Sequence, residues 1–364
     1  MKIGILEVCS KNHVCMIENW IRVAQKNKWE IVVYTTKEFK LELDVDLHHY
    51  EKLKIEITTK TIKQFFNYIE EQSSTLDYLV ITSLQAHFLE FFFFRPKCKI
   101  HLSIHNVNTW FVKKSVSNLK SLIKKIVREY YKRKVDAYIV NSDSMLQYVK
   151  MKVTLDKTMY VVPFSMKQKP LQKKSKSKKL SIVYPGMVSS FRKDYDLFLK
   201  LAQDYTDYDF ILLGKVNYSE GGKEIINRIK SMNLNNMYYF EEYISQSKYD
   251  IYMKEADILF SYINVNYENS DYSEVYGVTK DTGVSYLMLE YCLPLLVNSE
   301  FSNFSDLDAV TFSYEDYISL KSNMDELTNN ILLNNSLESE IYNIRKKFSI
   351  DIFSKKIKTI LNKS

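Results

Sequence analysis

The stretch YSEVYGVTKDTGVSYLMLEYCLPLLVNS, Tyr272 to Ser299, decides how the chain is read. A polar loop passes Gly277 and Gly283 and enters a segment with Val284, Leu287, Met288 and Tyr291 apolar at spacings of three and four. Pro294 then opens the apolar run Leu295, Leu296, Val297. The order is loop, helix, strand, the repeating unit of a parallel α/β sheet. A helix start leaves amide N–H groups unpaired and carries about half a positive charge, which suits it to phosphate oxygens. Thr279, Lys280, Asp281 and Thr282 stand at that entrance. Asp281 or Thr282 is expected to cap the helix, Gly283 to allow close backbone approach, and Lys280 to add a mobile cation. An ordinary capped helix would look the same, so the rest of the chain has to decide.

Working outward, the same rhythm recurs on both sides. Strands are expected at 2–8, 31–35, 78–82, 100–104, 137–141 and 160–162, then at 181–184, 210–213, 237–240, 258–262 and 295–298, with helices such as 14–25, 61–72 and 144–149 between them. The acidic segment 38–56 reads as weak strands. Lys167 to Lys179 holds seven Lys, no acid and no apolar period, so it reads as a linker. The division is therefore a first Rossmann-like domain over 1–166, the linker 167–179, a second over 180–345, and a closing helix over 346–364. That helix carries the stripe Ile350, Phe353, Ile357, Ile360 and Leu361, suited to packing back on the first domain. Two doubly wound α/β domains with a central cleft at facing strand ends follow.

Composition agrees with this and excludes other classes. At 364 residues the chain suits two cores, and 46% hydrophobic with 26% charged residues is globular. Cys9, Cys15, Cys98 and Cys292 have neither disulfide-framework nor CxxC spacing and read as reduced thiols of a cytoplasmic protein. MKIGILEV gives way to polar residues too soon for a signal-peptide core. No apolar run approaches the roughly 20 residues that span a bilayer, so a soluble or peripheral protein is expected. The net charge of +7 is uneven: Lys113 to Lys134 holds nine Lys and Arg against the single Glu129. Within it Val116, Leu119, Leu122, Ile123, Ile126, Val127 and Tyr130 recur at helical spacing. Such a helix is either a solvated surface element or an attachment to anionic lipid, helped by Trp110, Phe111, Tyr130 and Tyr131. No helix-turn-helix, zinc or RNP-type pattern points to nucleic acid.

Glycine is scarce, seven residues in all, so its placement is informative. Gly186 follows a strand, and Arg192, Lys193 and Asp194 precede the helix expected at 195–202. With Lys280 these make three cations suited to the charge of a departing pyrophosphate. His101 and His105, four apart on a strand, are separated by roughly 13 Å and cannot share a metal, so no metal site is expected. GxSxG, Walker A, HExxH and GxGxxG patterns are missing.

Taken together, Ile104-His105-Asn106, DAYIVNS (Asp136–Ser142), Val162-Pro163-Phe164, VYPGMVSSFRKDY (Val183–Tyr195), Leu212-Leu213-Gly214, Ala256-Asp257-Ile258 and Tyr276–Val297 resemble bacterial GT-B glycosyltransferases. The likeness is to the large retaining group called family 4. It implies the GT-B fold, no cofactor, and a nucleotide diphosphate sugar, a UDP-sugar first, as donor. Carried over, His105, Lys280 and Arg192 are the catalytic candidates, with His105 facing the transferred sugar. Donor contacts fall on Gly186, Arg192, Lys193, Gly214 and Tyr243, and on Thr279, Lys280, Asp281, Thr282 and Gly283 of the opening stretch. The acceptor side falls on Ser10, His13, Asn106 and Asn108. The family's two glutamates, counted back from Pro294, are here Thr279 and Leu287; Glu290, one turn on, is the nearest acid and would touch the ribose. The loop is similar to the TKxSG-type variant of capsule and O-antigen transferases. The implied activity is hexosyl transfer, with retention, to a polysaccharide or lipid-linked acceptor in cell-surface glycan synthesis, at the inner face of the membrane. Two alternatives stay open: a non-catalytic partner of another transferase subunit, and a sugar-nucleotide epimerase.

Overall fold

The computed structural model describes residues 1–43, 45–59, 61–112, 118–170, 179–190, 193–268, 272–333 and 336–363. They fall into two compact units. One comprises Met1–Met166, Tyr267–Asp281 and Phe348–Ser364, the other Lys167–Asn266 and Thr282–Lys347.

The first unit is built on seven strands: β1 (Lys2–Glu7), β2 (Glu30–Thr35), β3 (Leu53–Ile57), β4 (Tyr78–Ile81), β5 (Lys99–Ile104), β6 (Ala137–Val140) and β7 (Thr158–Val161). Every pair is parallel, in the order β3-β2-β1-β4-β5-β6-β7. A parallel sheet is covered on both faces, which is why β1 reads KIGILE with five of its six residues buried. Successive side chains alternate between two apolar layers. Ile3, Ile5, Ile31, Val33 and Val80 pack beneath the helix Val14–Asn27, while Leu6, Val32, Leu79, Ile81 and Leu102 face the other layer. Gly4 suits that packing: a Cβ there would lie 2.6 Å from Leu76 Cδ1, and the leucine tip would have to shift.

The closing helix, Ile350–Lys363, lies in this unit against Val14–Asn27. Phe353, Ile357 and Leu361 are buried in the shared core, and Tyr78 Oη donates to the Leu361 carbonyl at 2.5 Å. The helical stripe expected from the sequence is the one that packs.

The second unit repeats the scheme with β8 (Ser181–Pro185), β9 (Asp209–Lys215), β10 (Met237–Phe240) and β11 (Ile258–Ser261); the chain then forms a small two-stranded sheet, β12 (Asn266–Glu268) and β13 (Ser273–Val275), largely in the segment Tyr267–Asp281 of the first unit, and returns to the second with β14 (Leu295–Asn298) and β15 (Thr311–Tyr314). Its main sheet runs β10-β9-β8-β11-β14-β15, all parallel. In both units the strand order reverses at the first strand, β1 beside β4 and β8 beside β11. Ligands of doubly wound sheets bind outside the strand ends at that reversal.

Several expectations are corrected. The acidic segment read as weak strands holds one strand, β3, preceded by the helix Lys37–Glu42 and a 3-10 helix at Val45–His49. The short elements Phe88–Phe93, β12, β13 and β15 carry too few residues for a period to show. The basic helix spans Leu119–Lys134, with 113–117, including Lys113 and Val116, outside the described residues. Val127 and Tyr131 are its buried apolar positions, whereas Leu119 (72% exposed), Leu122 and Ile126 face solvent. In the Lys-rich segment 171–178 lie outside the described residues, but Lys169 is held in the second unit: its Nζ pairs with Asp250 at 2.7 Å and its carbonyl accepts from Arg345. No helix among the described residues is long and apolar enough to cross a membrane.

Candidate functional site

In the first unit the reversal point is organised by Glu7, the last residue of β1, whose carboxylate is fully buried. It accepts from the amides of Cys9 (2.6 Å) and Ser10 (3.1 Å), from Thr82 Oγ1 (2.7 Å), and from Ser83 Oγ (2.8 Å to Oε2). His13 Nδ1 lies 3.1 Å from Glu7 Oε2. A carboxylate only accepts, so Nδ1 carries a proton, and in the neutral ring Nε2 holds the lone pair. One acid thus joins the loops after β1 and β4 and fixes an imidazole. Ser10 and His13, expected on the acceptor side, are both held by it.

His105 stacks on His13, with ring centroids 4.3 Å apart. Its Nε2 donates to the Thr82 carbonyl at 2.7 Å, and Asn141 Nδ2 donates to its Nδ1 at 3.0 Å. Both nitrogens are therefore committed. Burial, with His13 and Lys280 nearby, pushes its pKa down to about 3, so the ring stays neutral. His105 is built to shape the site, not to exchange protons. Of the pair, His13 Nε2 is the nitrogen with no hydrogen-bond partner among the described residues.

The segment Tyr267–Asp281 closes over these loops. Glu274, fully buried, accepts from the amides of Asn108 and Thr109 at 3.1 and 2.8 Å and from Thr109 Oγ1 at 2.7 Å. Asn108 Nδ2 donates back to the Ser273 carbonyl at 2.9 Å. The Thr279 carbonyl accepts from Val107 N at 2.9 Å, and Thr279 Oγ1 from Val275 N at 2.7 Å. Lys280 Nζ donates to Asn106 Oδ1 at 2.7 Å and lies over the rings of Tyr267 and Tyr276. Asp281 Oδ1 accepts from Ser142 Oγ at 2.8 Å. Thr279, Lys280 and Asp281, expected among the donor contacts, are thus bonded to Val107, Asn106 and Ser142. The capping expectation is corrected by the same contacts: Asp281 is taken by Ser142, and Thr282 makes no side-chain cap on the helix Gly283–Tyr291. A Cβ on Gly283 would meet nothing within 4 Å, so its surroundings are open.

A cavity of about 300 Å³ opens beside His105, lined also by Phe88, Ser103, Trp110, Lys124 and Arg128.

In the second unit Gly186 follows β8 with φ +92°, a conformation that favours glycine. Gly214 on β9 allows the closest approach: a Cβ there would sit 2.4 Å from the Gly186 carbonyl oxygen. Lys193 folds back over this turn, its Nζ donating to the Pro185 carbonyl at 2.6 Å and standing 4.5 Å from the Tyr184 ring centroid. Burial of that ammonium pushes its pKa down to about 7, although the residue as a whole keeps partial exposure. Gly186, Gly214 and Lys193 are therefore brought together. Lys193 lines a second cavity of about 350 Å³ with Asp194, Tyr195, Arg228, Tyr262 and Asn264, at the ends of β8 and β11. Arg228 is paired there with Asp196 at 2.6 Å.

Arg192 lies outside the described residues. Tyr243 is 82% exposed and lines neither cavity. Glu290 is 3.9 Å from Lys169 Nζ, beside Asp250. Sequence reasoning missed Glu7, Glu274, Ser103, Lys124 and Arg128 as site residues. The signal for Glu7 was present: an acid ending the first apolar strand stands at the reversal point. Among the described residues, no group of three His, Cys, Asp or Glu is placed to hold a metal ion.

No family model matches the chain, and no curated protein matches it. Solved structures do. The Anabaena protein HepE in complex with UDP superposes with a TM-score of 0.68 at 14% identity, covering 100% of both chains. A glycosyltransferase from Rickettsia africae gives 0.68 at 13% identity, covering 100% of this chain and 98% of that one. The sucrose-phosphate synthase of Thermosynechococcus elongatus gives 0.63 at 10% identity, covering 100% and 98%. Two parallel sheets reversing at their first strands, together with these full-length superpositions, give this chain the GT-B fold.

Proposed function

We propose that this chain transfers a sugar from a UDP-sugar to an acceptor in cell-surface glycan synthesis, with hexose as the sugar class and a polysaccharide or a lipid-linked glycan as the acceptor. The observation that carries this is the turn at Gly186. It holds a lysine, Lys193, beside a cavity at the reversal point of the second sheet, where a diphosphate would find a cation and backbone N–H groups. Solved GT-B neighbours contain UDP and UDP-glucose, which favours uridine among the bases. The test is thermal stabilisation by UDP, GDP, dTDP, CDP and CMP. A nucleotide at a hundred times its dissociation constant should contribute about 2.7 kcal/mol. Stabilisation by UDP alone, followed by turnover of UDP-glucose, supports the proposal. If no nucleotide stabilises the protein, the non-catalytic partner reading replaces it.

The resemblance to family 4 implies retention. The Glu7–His13 pair favours a second reading: an acceptor hydroxyl attacking the anomeric carbon opposite the departing diphosphate would pass its proton to His13 Nε2, which inverts the centre. Proton NMR coupling constants of the first product distinguish the two outcomes.

We further place the protein at the inner, anionic face of the cell membrane. The helices Phe88–Phe93 and Leu119–Lys134 pack together and leave Leu89, Phe93 (69% exposed), Leu122 and Ile126 facing solvent, beside Lys120, Lys124 and Lys125. Apolar residues ringed by lysines match an anionic headgroup layer, each Lys contributing about 1 kcal/mol. Sedimentation with phosphatidylglycerol vesicles should fall at least tenfold in affinity for Lys120→Glu/Lys125→Glu. Binding unaffected by salt and by these changes would remove the membrane from the proposal.

A further inference from the structure

The cavity beside His105 has chemistry that sugar hydroxyls do not call for. Two cations, Lys124 and Arg128, enter it from consecutive turns of the basic helix, and both stand over the Phe88 ring at 5.8 and 5.9 Å. Arg128 also stands 6.0 Å from the Trp110 centroid. No Asp or Glu lines the cavity among the described residues. His105, on the same wall, is neutral. Among the described lining residues the charge is therefore positive and concentrated by low-dielectric aromatic walls, an arrangement that attracts anions.

A second observation comes from the floor. Ser103, near the end of β5, is buried, and its hydroxyl has no hydrogen-bond partner among the described residues. A buried hydroxyl without a partner costs stability in the free protein, so its presence calls for a reason. A phosphoryl oxygen entering from the cavity supplies one: it accepts from the hydroxyl while the guanidinium and ammonium hold the other oxygens.

We propose that this cavity binds a phosphoryl group of the acceptor. The acceptor is then a sugar carried on a phosphate or diphosphate, its phosphoryl group held by Ser103, Lys124 and Arg128 while its sugar reaches toward His13. This rests on the sugar-transfer reading above and deepens it by naming the acceptor class. The exposed Leu122 and Ile126 continue along the helix that carries both cations, where an apolar chain attached to the phosphate would lie.

Calorimetric titration of the full chain with two probes tests this. Glucose 1-phosphate presents the phosphoryl group on a water-soluble sugar, and farnesyl diphosphate presents it on an apolar chain. Lys124→Ala and Arg128→Ala are each expected to weaken binding at least tenfold. Ser103→Ala should weaken it severalfold while leaving the melting temperature unchanged or higher, which a purely structural serine would not do. Tighter binding of farnesyl diphosphate assigns the phosphate to a lipid carrier, and equal binding assigns it to a soluble phosphosugar. If neither probe binds, or if binding is indifferent to all three substitutions, the subsite is overturned. UDP stabilisation, measured in parallel on the same variants, reads the second unit. Its persistence without probe binding rejects only the acceptor class, whereas its loss in the wild type rejects the sugar-transfer reading itself.

Discussion

Glu7→Ala is expected to cost the first unit about 3–5 kcal/mol, since removing one member of a buried charged network strands its partners. The amides of Cys9 and Ser10, the hydroxyls of Thr82 and Ser83, and His13 Nδ1 all lose their acceptor in a site with no water-exposed surface at the carboxylate. Urea unfolding followed by circular dichroism measures this directly. A midpoint equal to that of the wild type would mean the network is not formed. Glu7→Gln separates structure from chemistry. The amide oxygen still accepts from the two backbone N–H groups, so most of the stability should remain. The amide nitrogen, however, donates, so it favours a lone pair on His13 Nδ1 and a proton on Nε2. If His13 takes the acceptor's proton, kcat should fall about a hundredfold or more while UDP binding is unchanged. An unaltered kcat would leave Glu7 a structural residue and return the reaction to the retaining reading.

The donor end gives the other large effect. Lys193→Met should weaken UDP about ten- to hundredfold, the range for losing a hydrogen bond to a charged group, without loss of fold. Its methylene stem keeps the packing beside Tyr184, and the buried ammonium at the Pro185 carbonyl is removed. The pH dependence identifies the lysine. Its folded pKa, lowered to about 7 from 10.5, means that the native chain binds fewer protons than the unfolded one between those values. Stability from this group therefore rises as pH rises from 7 to 10.5 and is lowest below 7. A bound diphosphate favours the protonated form, so binding takes up a proton above pH 7. UDP affinity should then fall by up to tenfold per unit as pH rises from 7, in the wild type but not in Lys193→Met. Calorimetry in buffers of different ionisation enthalpy reads the proton. A flat profile in the wild type would show that Lys193 does not meet the phosphates.

The alternation of strands and helices was legible because parallel strands covered on both faces are short apolar runs, as in KIGILE and LLVN. The closing helix was legible for a related reason: its stripe has one face and one partner. Gly186, Gly214 and Lys193 could be grouped because they lie at strand ends of one sheet, close to one another in the order of the fold. The loop at Thr279–Asp281 could not. It was read by its neighbours in sequence, as the doorway of the helix Gly283–Tyr291, yet its polar groups find their partners at Asn106, Val107 and Ser142. No periodic signal marks a bond between residues about 140 to 170 apart.

The sequence by itself determined the fold class, the two sheets and the glycine turn at β8, since apolar periodicity and the rarity of glycine are local properties. Only the tertiary structure decided which polar side chains are sites. Glu7 and Glu274 look like ordinary surface acids until burial strips their water and leaves hydrogen bonds as their only solvation. His105 is a lone histidine after a strand until Thr82 and Asn141 are seen to occupy both its nitrogens. Ser103, Lys124 and Arg128 become one cavity only when β5 and the basic helix come together, because a hydroxyl and two cations share a purpose through distance in space, which spacing along the chain does not record.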